Sequence, residues 1–327
     1  MKPVENVQNW EEHDAKKIRF RQPFSEKYSL TIDTDMLAGN FPIETKTEIR
    51  WAFRVIEVDR FGQAEIELIT VENRLVETNN PNLHDIAALS QAFGRMYSEI
   101  HVKLDLKGKV VEIVNLQSIL GKWEQTKAEM QKIESEIPAM ADVVKLNDDI
   151  FASPDKVKLA IESNEFFNIY FHLIYGEPLP AKELSRTHRN LFNSVDVDWE
   201  FEANSKRVVT SNGRLEVVKI AGRPAEELGS AWIKEAYNNF QMVDQMQIQP
   251  NLSETGEYVF HPETGKLRKA VLTKKEIAHP EFIRGVMTYT IMSDEEVNDP
   301  LDSKNPKPLD PGTGIPRPEY WANDWEF

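Results

Sequence analysis

The chain has no cysteine, so disulfides, thiolate zinc sites, iron–sulfur clusters and cysteine nucleophiles are excluded. It also lacks any uninterrupted apolar run near the roughly 18 residues of a membrane-crossing helix. Its start, MKPVENVQNWEEHDAKK, contains no apolar secretory segment. A cytoplasmic location is expected if Met1 is the native start, and a periplasmic or exported one if a signal peptide has been removed. Glycine is sparse, 14 in 327 residues, and the phosphate-cradle and nucleophile-elbow spacings G-x-x-x-x-G-K, G-x-G-x-x-G and G-x-S-x-G are all missing. The seven histidines, His13, His84, His101, His172, His188, His261 and His279, include no i, i+4 pair on an expected helix, which removes a zinc site of the H-E-x-x-H kind.

Charge is abundant but unequal. Acidic residues number 54 against 39 basic ones, a formal net charge of −15, and such a field repels phosphate backbones while favouring basic partners. Nucleic acid is therefore not an expected ligand. Much of the excess falls in two stretches: Glu124 to Glu165 holds ten acids against five lysines, and Asp294 to Phe327 nine acids against three bases. With 40% hydrophobic residues the chain still has the material for a packed core.

Period-two alternation marks strands. It begins with KYSLTIDTDML; TKTEIRWAFRVIEVD then sets Ile49, Trp51, Phe53 and Val55 on one face, and QAEIELITVENRLV does the same for Ala64, Ile66 and Leu68. DRFGQ, with Gly62, connects these two as a hairpin. HVKLDLKGKVVEIV (His101 to Val114) and YVFHPETGKLRKAVL (Tyr258 to Leu272) each read as a hairpin whose turn closes on Gly-Lys. VDVDWEFEAN, RLEVVKI and RGVMTYTIMS supply further strands. Between the β-rich stretches the spacing becomes helical: Leu116 to Ile137, then AMADVVKLNDDIF, then a helix capped by Ser153, with Pro154 at its first position, running through FFNIYFHLIYG. NLHDIAALSQAFGRMY and EELGSAWIKEAYNNF add one helix to each half. Six prolines between Asn298 and Pro318 favour an extended arm, which ends on Tyr320, Trp321, Trp325 and Phe327.

The expected fold is α+β: two antiparallel curved sheets related by internal duplication, a helical section between them and an extended C-terminal arm. The expected divisions are a loosely held N-terminus over 1–22, a first β-rich half over 23–137, the helical section over 138–192, a second β-rich half over 193–296, and a proline-rich arm over 297–327. VIEVDRFGQAEIELITVEN, HVKLDLKGKVVEIVN and GEYVFHPETGKLRKAVL together resemble a family of bacterial β-rich proteins in which two related halves each offer an antiparallel sheet and a D-x-x-G-x-V hairpin. Its members are mostly exported or lipid-anchored, and their curved sheets are similar to lipoprotein-carrier half-barrels. The likeness runs from about Lys27 to Ser293 and implies the fold; it carries no activity with it. The chain departs from that pattern in its acidic helices and in lacking an export signal and a lipidation cysteine.

Several short patterns could carry chemistry. The triplet HPE occurs at His261 to Glu263 and at His279 to Glu281, and a His beside a Glu can serve as a base or a metal pair, but Pro262 and Gly265 suit a turn. THRN places His188 between Arg186 and Arg189, either an anion contact or a solvated helix end. DIFASPDK and SDEEVNDPLDSKN offer oxygen ligands without the central glycine of an EF-hand loop, so a solvated acidic surface is expected there. Asp33 with Asp35, and Asp196 with Asp198, pair on wet strand faces. Phe166, Phe167, Tyr170, Phe171 and Tyr175 either pack between layers or line a cavity for an apolar ligand. Tyr320, Trp321, Trp325 and Phe327 are the candidate partner-binding residues, strapping onto their own lobe being the alternative. No catalytic, cofactor-binding or metal-binding residue is assigned. The function expected is that of a non-catalytic interaction or scaffolding protein, an inhibitor, immunity or assembly component whose acidic surface receives a basic protein partner. A carrier of an apolar small molecule or lipid, held between a curved sheet and the aromatic helix, is the second expectation, and an enzyme of another type the third.

Overall fold

The computed structural model describes residues 17–133, 140–171, 173–210, 213–240 and 247–298. Its strands are β1 (Phe24–Ala38), β2 (Phe41–Val58), β3 (Ala64–Thr78), β4 (Glu99–Leu104), β5 (Val110–Ile113), β6 (Ala181–Arg189), β7 (Asp196–Thr210), β8 (Gly213–Pro224), β9 (Asn251–His261), β10 (Lys266–His279) and β11 (Ile283–Ser293). They form one antiparallel sheet of 11 strands in the order β5-β4-β3-β2-β1-β11-β10-β9-β8-β7-β6. The expectation of two sheets with helices between them is thereby corrected. Two meanders, β1 to β5 and β6 to β11, are fused by a seam in which Tyr28 to Ala38 pair with Ser293 to Ile283. The physical reason is edge satisfaction: each meander alone would end on a long strand with a row of unpaired backbone groups. Leu30 and Ile32 stand opposite Ile291 and Tyr289, so one apolar face runs unbroken across the joint.

The helices are α1 (Leu83–Gly94), α2 (Leu116–Ile133), α3 (Met140–Phe151), α4 (Pro154–Glu162), α5 (Glu165–Tyr170), α6 (Ser230–Ala236) and α7 (Asp294–Asn298), with a 3-10 turn at Arg95–Tyr97. Among the described residues no helix is long and apolar enough to cross a membrane. The single helix expected from Ser153 onward is two. The Ser163 hydroxyl donates back to the Leu159 carbonyl as α4 ends, and the Asn164 side chain accepts from the Phe166 amide at 2.9 Å to start α5. The stretch read as helical over 138–192 also contains the strand β6. Its less exposed positions are Ala181, Leu184, Arg186 and His188, so no apolar alternation announces it.

Tyr170 reports the curvature. Its ring centroid lies 5.5 Å from that of Phe53 on β2 and 6.2 Å from that of Phe260 on β9, strands four steps apart and hence about 19 Å apart in a flat sheet. One ring reaches both because the sheet curls around α5. The phenol is also satisfied: Tyr170 Oη donates to the Gly265 carbonyl at 3.2 Å and accepts from the Leu267 amide at 2.8 Å.

The two Gly-Lys hairpins close the same end of this trough. Gly108 and Gly265 hold φ of +74° and +75°, a backbone that L side chains rarely adopt. Each is also a close approach: a Cβ on Gly108 would stand 2.6 Å from the Phe171 ring, and one on Gly265 would overlap the Arg19 carbonyl. The N-terminal stretch 17–22, expected to be loose with the rest of 1–22, is gripped by the second of them, where the Arg21 amide donates to the Thr264 carbonyl at 3.2 Å. Ile18 and Phe20 are buried, and the Phe20 amide donates to Tyr175 Oη at 2.9 Å. Gly265→Ala is therefore expected to lower stability by about 2–3 kcal/mol in urea unfolding. Gly121→Ala, within α2 where a methyl meets nothing within 4 Å, is expected to raise it by roughly 0.5–1 kcal/mol.

Candidate functional site

The aromatic residues singled out around α5 lie inside the trough. Phe166, Phe167, Tyr170 and Tyr175 are buried and Phe171 partly so. Phe166 stands 4.9 Å from Phe53 and 5.4 Å from Trp51, and Phe171 4.9 Å from Tyr175. Burial pushes the Tyr28, Tyr170 and Tyr175 phenols well above their usual pKa. The rings fill the space between sheet and helix, and they line neither of the two cavities described below.

The acidic run SDEEV, expected to be a solvated surface, is instead the start of a buried ion knot. Arg268 is 1% exposed, and its guanidinium donates to Glu296 at 2.7 Å and to Glu295 at 3.0 Å. Lys266 Nζ bridges Glu295 at 2.6 Å and Glu26 on β1 at 3.2 Å, and His261 Nε2 lies 3.0 Å from Glu295. Burial alone would raise the Glu295 pKa, but the Lys266 hydrogen bond and the charges around it outweigh that, and the pKa is lowered. Burial lowers the His261 pKa, with Glu295 opposing in part. The first HPE triplet is the β9–β10 turn, as its proline and glycine imply.

A polar chamber of about 170 Å³ opens on the concave face between β6, β7, β9, β10 and β11. Register places its walls: Glu254 opposite Lys274, Lys274 opposite Met287, and Leu252 opposite Glu276. Glu254 is 0% exposed, with His188 Nε2 at 3.3 Å and Lys274 Nζ at 3.7 Å. His188 Nδ1 is 3.0 Å from the Arg189 carbonyl; a carbonyl only accepts, so that nitrogen carries hydrogen. The imidazole stacks on Trp199 at 5.2 Å. Glu276 accepts from Asn190 Nδ2 at 2.9 Å, the Leu191 amide at 2.7 Å and Tyr237 Oη at 2.7 Å. Burial raises its pKa, only partly offset by those bonds, and burial likewise raises that of Glu165 at the start of α5, with Lys274 opposing. The THRN island is thus a strand end and not a solvated helix end. Arg186 donates to Asn168, Arg189 pairs with Asp196, and His188 faces the chamber.

On the outer face, Asp33 and Asp35 stand in register with Lys46 and Glu44 on β2 and with Thr288 and Val286 on β11. With Glu77 they line an open groove of about 550 Å³. No family model matches the chain, and no curated protein matches it. What the molecule does is therefore read from these sites. Tyr320, Trp321, Trp325 and Phe327 lie outside the described residues, as do His13 and His172. Among the described residues no three histidine or carboxylate side chains gather as a metal site. Glu254, Lys274, Glu276 and Trp199 were not singled out from sequence. The signal was there: Glu254 shares its parity with Leu252, Tyr258 and Phe260, and a charge on an apolar parity is a rare event.

Glu276→Gln should lower stability by about 2 kcal/mol in urea unfolding, because an amide turns donors toward donors. The ion knot gives a pH dependence. The lowered His261 pKa means that the unfolded chain takes up the proton first, so this contribution is complete above the usual 6.5 and falls as pH drops through the folded pKa. Glu295, also lowered, adds a loss beginning below about 4.5. His261→Gln should therefore lose less stability than wild type between pH 7 and pH 5 in matched urea titrations.

Proposed function

We propose that the protein is a non-catalytic interaction component whose outer acidic groove receives a basic segment of a protein partner. One observation carries this reading: ion pairing stops where the groove begins. Along the same outer face Glu48 pairs with Arg74 at 2.7 Å, Glu67 with Arg54 at 3.1 Å and Glu72 with Arg50 at 3.6 Å. Asp33, Asp35, Glu44 and Glu77 form no ion pair with a described residue, and Lys46 is the one cation lining the groove with them. Carboxylates gathered along an open groove raise the local potential and speed encounter with a cationic partner. The aromatic residues Tyr320, Trp321, Trp325 and Phe327 add anchors of the type that dominates interface energetics.

A fluorescent octalysine peptide tests the groove by anisotropy. The variant Asp33→Asn, Asp35→Asn, Glu44→Gln, Glu77→Gln should bind it roughly tenfold more weakly or worse. A control that neutralises the exposed Glu202, Glu226, Glu227 and Glu235 should retain most of the affinity. Equal losses in the two variants would reduce the effect to net charge and end the groove assignment. Removal of residues 322–327 should weaken capture of a native partner while leaving octalysine binding unchanged.

A further inference from the structure

We propose that the open edge of β6 is a docking site for an extended acidic strand, and that residues 5–14 of this same chain fill it as a twelfth, antiparallel strand. The edge is separate from the outer groove, and its assignment does not rest on the reading of that groove. The sheet ends on β5 and β6, and its two edges differ. β5 has four residues, and its Val110 amide donates to Glu162 Oε1 of α4 at 2.8 Å. β6 has nine, and the turn beyond it sets the phase of its ladder. The Asn190 amide donates to the Val195 carbonyl at 2.9 Å, in step with the pairing of His188 to Val197. Leu184, Arg186 and His188 therefore turn their backbone groups toward β7, and Ser185 and Thr187 turn theirs away. Those two residues are exposed, and on that side their amides and carbonyls meet no described residue. An open strand of this length is a template for another.

The chain itself supplies the occupant. Residues 1–16 lie outside the described residues and join the structure at Lys17. Lys17 forms an antiparallel bridge with Pro178, three residues before β6 begins. In such a pairing the residues before Lys17 run beside those after Pro178, which is the direction of β6. Sixteen residues exceed the nine of β6, and no proline stands between Val4 and Lys16 to remove a ladder donor. Residues 299–327, by contrast, carry six prolines. Charge agrees with this choice. β6 holds Lys182, Arg186 and Arg189 against the one acid Glu183, a basic strand in an acidic protein, whereas residues 5–14 hold Glu5, Glu11, Glu12 and Asp14 and neither lysine nor arginine. Opposite charges on adjacent strands favour pairing, and the short tether raises the effective concentration of this segment over that of any strand in solution.

Amide hydrogen exchange of the full chain, read residue by residue by NMR, tests the assignment. The Ser185 and Thr187 amides are expected to exchange roughly tenfold more slowly, or slower still, than in a variant lacking residues 2–14. The double variant Val7→Pro, Asn9→Pro, which keeps the length and charge of the segment, should lose the same protection. If the shortened chain does not fold, the proline variant carries the comparison. Fast exchange of both amides in the full chain overturns the proposal and leaves the edge open. Equal protection with and without residues 2–14, or with and without the two prolines, gives the edge to another occupant and also overturns it. Protection that disappears on dilution means a strand from a second copy and overturns the assignment within one chain.

Discussion

The antiparallel seam between β1 and β11 is the interaction on which the rest of the molecule depends. It turns two meanders into one sheet, and only the joined sheet is wide enough to curl around α5. Side chains then cross the joint in both directions. Tyr28 on β1 reaches past β11 to donate to the Leu267 carbonyl on β10, and Glu26 on β1 meets Lys266 on β10. The ion knot of Arg268 with Glu295 and Glu296 clamps α7 over the same strands. The outer groove straddles the seam directly, because its walls come from β1, β2, β3 and β11.

The acidity of the chain resolves into three populations with different physical consequences. Glu295 and Glu296 are carboxylates whose desolvation is offset by fixed cations, and removing one partner there would strand a buried charge. Glu48, Glu67 and Glu72 are surface acids with arginine neighbours, each contributing little to stability. Asp33, Asp35, Glu44 and Glu77 form no ion pair with a described residue, and they repel one another around the single cation Lys46. Carboxylates that do nothing for the fold are the ones that can serve recognition.

Much of the local structure was legible in the sequence. The parity of Ile49, Trp51, Phe53 and Val55 named the buried face of β2 correctly, and Gly62, Gly108 and Gly265 marked turns that need positive φ. Three things were not legible. Alternation says which face of a strand is wet but not which strand lies beside it, so the pairing of β1 with β11 could not be read from either one. β6 carries Arg186 and His188 where apolar residues would reveal a strand. Ser163 and Asn164 break the helix by local side-chain bonds that compete with its own ladder. The chamber was hidden for a related reason: Glu254 occupies a core parity singly, and Lys274 and Glu276, with Lys275 between them, read as an ordinary charged stretch of strand.

The seam also dictates the order in which the molecule can be completed. β1 leaves the ribosome before every other strand of the sheet and its partner β11 after all of them, so the central pairing is among the last of the sheet that a nascent chain can make. Until then the first meander presents a long strand with one side open, and the same side of another copy is an equally good match. Exchange of β1 between two chains would satisfy every backbone bond of the seam, which makes intertwined dimers the natural by-product of crowded synthesis.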